Sequence, residues 1–147
     1  MRKNLLPGVV LVLSGLAVWA MAAPADEPLQ VIVNPSNSVT SVSFSDLQSI
    51  YHGEKSRWPN GKLILLLMAA PGSPERGEVL KKIYKMSETD YVKYFIQASF
   101  TGEVSAPPKD VGSAAQIKQM VVSNPGAIGY VKQSDADGTV KVVLTLP

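Results

Sequence analysis

The chain has 147 residues, with 14 Lys and Arg against 12 Asp and Glu, one His and no Cys. That length suits one domain, on the usual range of about 100 to 150 residues. The absence of cysteine excludes disulfides, thiolate zinc sites, iron–sulfur clusters, a cysteine nucleophile and a lipid anchor on an N-terminal cysteine.

Arg2 and Lys3 precede an apolar run from Leu5 to Ala20 that closes in Ala20-Met21-Ala22, with small residues at the two positions a signal peptidase reads. This pattern predicts a cleaved secretory signal over residues 1–22 and a single domain over residues 23–147. Pro7, Gly8, Ser14 and Gly15 interrupt the run, and it falls short of the roughly 20 residues a bilayer span needs. Cleavage removes Arg2 and Lys3, taking the basic count from 14 to 12, equal to the acids, so the formal charge of +2 becomes zero. Without a basic surplus there is no electrostatic case for nucleic acid or an anionic membrane as a partner. The expected location is the periplasm, free of the membrane after cleavage.

Along the mature chain, Leu29 to Val33 is a β-branched run closed by Asn34-Pro35 and predicts a buried strand. Ser43 then caps a short amphipathic helix over residues 44–52, with Leu47, Ile50 and Tyr51 on its apolar face and Gly53 past its end. Glu54 to Gly61 reads as a loop, turning at Asn60-Gly61. Lys62 to Met68 follows as a strand without alternation, which predicts a central strand covered on both faces. Ser73-Pro74-Glu75 supplies a cap, a proline at the first helical position and an acid in the first turn of a helix running to Lys85. Ser87 opens another, which ends at Gly102 and buries Tyr91, Tyr94, Phe95 and Ala98. Val104 to Gly112 reads as loop, and Ser113 caps a fourth helix to Ser123. Strands over Ala127 to Lys132 and Thr139 to Leu146 complete the set, joined by a turn at Asp135 to Gly138. Strands interleaved with helices argue for an α/β domain, a mixed sheet layered with helices.

The order Val31-Ile32-Val33-Asn34-Pro35, Leu47-x-x-Ile50-Tyr51-x-Gly53, Trp58-x-x-Gly61, Gly72-Ser73 and Asn124-Pro125-Gly126-Ala127-Ile128-Gly129-Tyr130 resembles the phosphate-binding periplasmic proteins of ABC transporters, of the type 2 periplasmic binding fold. The resemblance covers nearly all of residues 30–132 and implies one lobe of a fold in which two lobes close on an anion. It also implies a ligand site at Gly72 and Ser73, in the segment from Ala69 to Arg76, near Gly126 to Tyr130. The family presents Arg, three residues, then Ser-Gly-Thr at a helix start. This chain keeps Ser73 but has Ala69 at the Arg position, Pro74 at the Gly and Glu75 at the Thr. Ala69 removes a bidentate cation, Pro74 removes an amide donor, and Glu75 brings negative charge to the place an anion would occupy. The expectation is a non-enzymatic binding protein with weak or lost phosphate binding. The alternative is an interaction or accessory module, its open cleft face covered by a protein partner or a second copy.

Other chemistry has less to stand on. There is no Gly-x-Ser-x-Gly elbow for Ser73 as nucleophile, and His52, at a helix end, has no acid to orient it. One His and no Cys argue against a transition-metal site, and no cofactor is implied. Asp135-Ala136-Asp137-Gly138 opens like a calcium loop, but the position of the bidentate Glu falls on Leu146, so a turn explains it better. Lys81, Lys82, Lys85 and Lys93 read as a solvated face, and Tyr84, Tyr91, Tyr94 and Phe95 as core. Trp58 is the most exposed-looking large aromatic, though its expected role is packing.

Overall fold

A computed structural model describes residues 27–147, so the export segment expected over residues 1–22 lies outside the described residues. Five strands form one mixed sheet: β1 (Leu29–Val33), β2 (Leu65–Ala69), β3 (Lys109–Val111), β4 (Ala127–Lys132) and β5 (Lys141–Leu146), in the spatial order β3-β2-β4-β1-β5. β2 runs parallel to both β3 and β4, whereas β1 lies antiparallel to β4 and β5. The helices are α1 (Phe44–Tyr51), α2 (Pro74–Val79), α3 (Glu88–Thr101) and α4 (Ala114–Ser123). This is the α/β architecture read from the sequence.

Each helix begins where a serine hydroxyl can accept from an amide of the first turn. Ser43, Ser73, Ser87 and Ser113 cap α1 to α4 by accepting from the backbone N–H of Asp46, Arg76, Asp90 and Gln116. The far end of α4 is closed from the sheet. Asn34, just past β1, donates to the carbonyls of Val121 and Val122, both at 2.9 Å. Buried Leu47, Ile50 and Tyr51 from α1, Val79, Ile83 and Tyr84 from the second helical stretch, and Ile117 and Val121 from α4 join the sheet in one core.

Several elements and boundaries differ from expectation, among them the start of β5 at Lys141 and not Thr139. β2 starts at Leu65, because the Asn60-Gly61 turn folds Lys62 to Ile64 back on Ser56 to Trp58, where Leu63 bridges Arg57. Leu63 is consequently 62% exposed. β2 is nevertheless internal to the sheet, with Leu67 and Met68 fully buried. The segment read as loop from Val104 to Gly112 contains β3, paired in register from Leu67↔Lys109 to Ala69↔Val111. The second helix continues past α2 as a π-helical stretch, Leu80–Tyr84, and a 3₁₀ turn, Gln133–Asp135, precedes the turn before β5.

Candidate functional site

The parallel strands β2, β3 and β4 end side by side, and the two helices that follow β2 and β3 start at that same end. A concavity of about 80 Å³ lies there, lined by Ala69, Ser73, Glu75, Gly112, Ser113 and Tyr130 among others. Carboxyl ends of parallel strands facing helix starts are where open α/β sheets place ligands.

Ser73 lines this concavity, and Gly72 stands in the turn just before it. Gly72 has φ of 83°, a left-handed turn that glycine adopts at no steric cost and that swings the chain from β2 into the cap. Ser73 lines the concavity while its hydroxyl accepts from Arg76 N–H at 3.3 Å. Ala69 is the last residue of β2 and is buried. Its N–H donates to the Tyr130 hydroxyl at 2.9 Å, and that hydroxyl lies 3.2 Å from the Met68 sulfur. Burial pushes the Tyr130 phenol well above its ordinary range, so the group is a neutral hydrogen-bonding post.

The charges around the concavity are tied up in pairs. Glu75, in the first turn of α2, meets Lys132 from the end of β4 at 3.3 Å. Arg76 points away into the protein and is only 3% exposed. Its guanidinium grips Glu88 with two nitrogens, at 2.8 and 2.6 Å, and donates to Asp110 at 2.7 Å and to the Ala69 carbonyl at 3.0 Å. The ring of Tyr91 lies 5.0 Å from it. Burial works against the charge, but the hydrogen bonds that the guanidinium donates to Glu88 and Asp110, with the charges of both carboxylates, outweigh it and hold the group above its ordinary value. Glu88 is held below the usual carboxylate range, chiefly by its bond to Arg76.

The sequence did not single out Ser113, which brings the second helix start to the concavity, or the commitment of Arg76. The Ser113 cap was itself legible; what was hidden was β3, whose pairing with β2 sets α4 beside α2. The remaining candidates fall elsewhere. His52 closes α1, its Nδ1 2.8 Å from the Gln48 carbonyl and its ring between Tyr84 and Tyr94. Trp58 is not exposed but 4% accessible, because its indole N–H donates to the Gly126 carbonyl at 2.9 Å beneath the hairpin; its packing role stands. Asp137 bonds Thr139 and Lys118 in the turn before β5. Among the described residues no group of three His, Cys, Asp or Glu is placed to hold a metal ion.

Parallel strand ends and two serine-capped helix starts thus meet at one small concavity, an arrangement in which open α/β sheets hold ligands. Solved structures give that arrangement its particular form. The chain is similar to an ABC-type phosphate transport receptor from Vibrio cholerae, with a TM-score of 0.63 and 19% identity over 80% of this chain and 46% of that one. It is equally similar to a putative phosphate ABC transporter substrate-binding protein with bound phosphate from Clostridium perfringens (TM-score 0.63, 21% identity, 80% and 44% covered). PstS from Borrelia burgdorferi follows at 0.59, with 18% identity over 80% of this chain and 46% of that one. The chain thus has the fold of part of a phosphate ABC transporter substrate-binding protein and spans less than half the length of each. No family model matches it, and no curated protein sequence does. No helix among the described residues is long and apolar enough to cross a membrane.

Proposed function

We propose that the protein is an exported, periplasmic binding protein of the phosphate-receptor kind, without enzymatic activity, in which binding of phosphate is weak or lost. The observation that carries this reading is the charge arrangement at α2. The site keeps Ser73 and a second serine-capped start at Ser113, but its rim carries Glu75 and its nearest arginine is committed to two carboxylates. An oxyanion entering the concavity meets hydroxyls and amides and also a carboxylate, while Lys132 is engaged by that same carboxylate. Calorimetric titration with phosphate and sulfate tests it. The expected outcome is no binding tighter than about 10 μM, equivalent to roughly 7 kcal/mol; tighter binding refutes the weak-site reading.

A second reading, an interaction or accessory module that keeps the lobe without a small ligand, is favoured by one surface. Val92, Ile96 and Phe100 stand one turn apart along α3 and are 45, 66 and 93% exposed. An uncovered apolar row of this kind marks interaction surfaces. Light scattering across a concentration series distinguishes self-association from a monomer whose row awaits a different protein.

A further inference from the structure

Lys81, Lys82 and Lys85 fall within five residues at the end of the second helical stretch. The backbone there departs twice from ordinary helix. Leu80–Tyr84 is wound as a π-helix, and Lys85 closes it at φ 54°, the one non-glycine residue of positive φ among the described residues. π turns are rare and concentrate at functional sites, and left-handed backbone is disfavoured for a residue with a Cβ.

Beside this stretch lies an open apolar trough of about 510 Å³, lined by Phe44, Leu144 and Leu146 together with the three lysines. Phe44 is 41% exposed into solvent. Lys82 is held by Glu78 at 2.8 Å and by the Pro147 carbonyl, whereas Lys81 and Lys85 have no carboxylate partner among the described residues. β5 is the outermost strand on this side. Val42 donates to Val143 on its outer edge, at 3.0 Å, and no strand lies beside Leu144 to Leu146 among the described residues.

We propose that this trough docks an extended acidic segment of a partner protein, paired by its backbone to the open edge of β5. The segment's apolar side chains enter between Phe44 and Leu144, and its alternate carboxylates meet Lys81 and Lys85. Strand addition supplies affinity through main-chain hydrogen bonds and specificity through alternate side chains, and opposite charge steers the encounter. Lysines can also serve merely to blunt a sheet edge. Here they stand on a neighbouring helical stretch and rim an apolar trough, which leaves the edge itself accessible. An anionic lipid surface would answer the lysines and the apolar side chains, but it would leave the strand edge unused.

The test is fluorescence anisotropy of a labelled peptide in which Glu alternates with Val and Ile, titrated with the purified protein. Saturable binding is expected, weakened at least tenfold by the double substitution Lys81→Glu, Lys85→Glu, with the circular dichroism unchanged because both side chains are exposed. Methylating alternate peptide amides must abolish binding, a readout that needs no protein variant. No binding, equal binding of the peptide with Lys for Glu, or indifference to methylation overturns the proposal. Binding to phosphatidylglycerol vesicles with none to the peptide overturns it in favour of a lipid surface.

Discussion

Helices α2 and α4 start at the same end of the sheet, each under a serine whose hydroxyl accepts from the amide three residues on. Beyond the cap they differ. α2 continues Pro74-Glu75-Arg76, with an acid in its first turn, while α4 continues Ala114-Ala115-Gln116, with none. At the third position Arg76 is buried in a network of carboxylates and Gln116 is exposed to solvent. The α2 start is therefore built for anchoring: proline presets its first φ, Glu75 complements the helix dipole, and Arg76 ties the turn to α3 and β3. The α4 start keeps its amides without an opposing charge. The two ends thus share a cap and differ in charge and in what their third residue touches.

The largest break in that comparison comes at the third position. Arg76→Met is expected to lower stability by about 3 kcal/mol, because it strips the Ala69 carbonyl and two carboxylates of a shared buried donor. Gln116→Met should change it by less than about 0.5 kcal/mol, as for other exposed surface positions. Urea unfolding of both variants checks the pair. The network also makes stability depend on acid. Glu88 is depressed from 4.5 in the folded state, so its contribution is present above that value and is lost as pH falls through the lower folded value. In Glu88→Gln, melting temperature followed from about pH 5 down to pH 2 should fall less steeply than in the parent protein.

The caps of both helices were legible in the sequence, because a serine followed by a helical pattern is a local signal that tertiary contacts seldom override. The same holds for the helix faces that carry Tyr51, Tyr84 and Phe95. What stayed hidden was set by partners far along the chain. β3 is three residues long and two of them, Lys109 and Asp110, are exposed, so only its pairing with Leu67 to Ala69 makes it a strand. Arg76 meets Glu88 12 residues on and Asp110 34 residues on, a separation that no local pattern encodes. Trp58 lies among charged loop residues and reads as exposed, yet the hairpin at Asn60-Gly61 and the carbonyl of Gly126 bury it.

A smaller effect tests how alike the two starts are at the cap itself. Ser73→Ala and Ser113→Ala remove the same kind of bond, each expected to cost about 1 kcal/mol. If the concavity still holds anions through both hydroxyls, the two variants should also weaken any residual sulfate or phosphate response equally in calorimetry. A response confined to Ser113→Ala would show that α4 alone has kept the anion-facing function.

A further small change in stability is the most informative about function. Glu75→Gln removes the favourable charge at the start of α2 and the pair with Lys132, costing about 0.5 kcal/mol, since exposed ion pairs and dipole terms are each worth a fraction of that order. On anion binding the sign reverses. The substitution removes the one carboxylate lining the concavity and releases the Lys132 ammonium beside it, so phosphate affinity should rise several-fold over the parent protein. Opposite movements in urea stability and in phosphate titration would locate the conflict between folding and anion binding at Glu75. A fall in stability with no gain in affinity would instead show that Glu75 is not what limits anion binding at the concavity, where Ala69 offers no cation and Arg76 remains bound to Glu88 and Asp110.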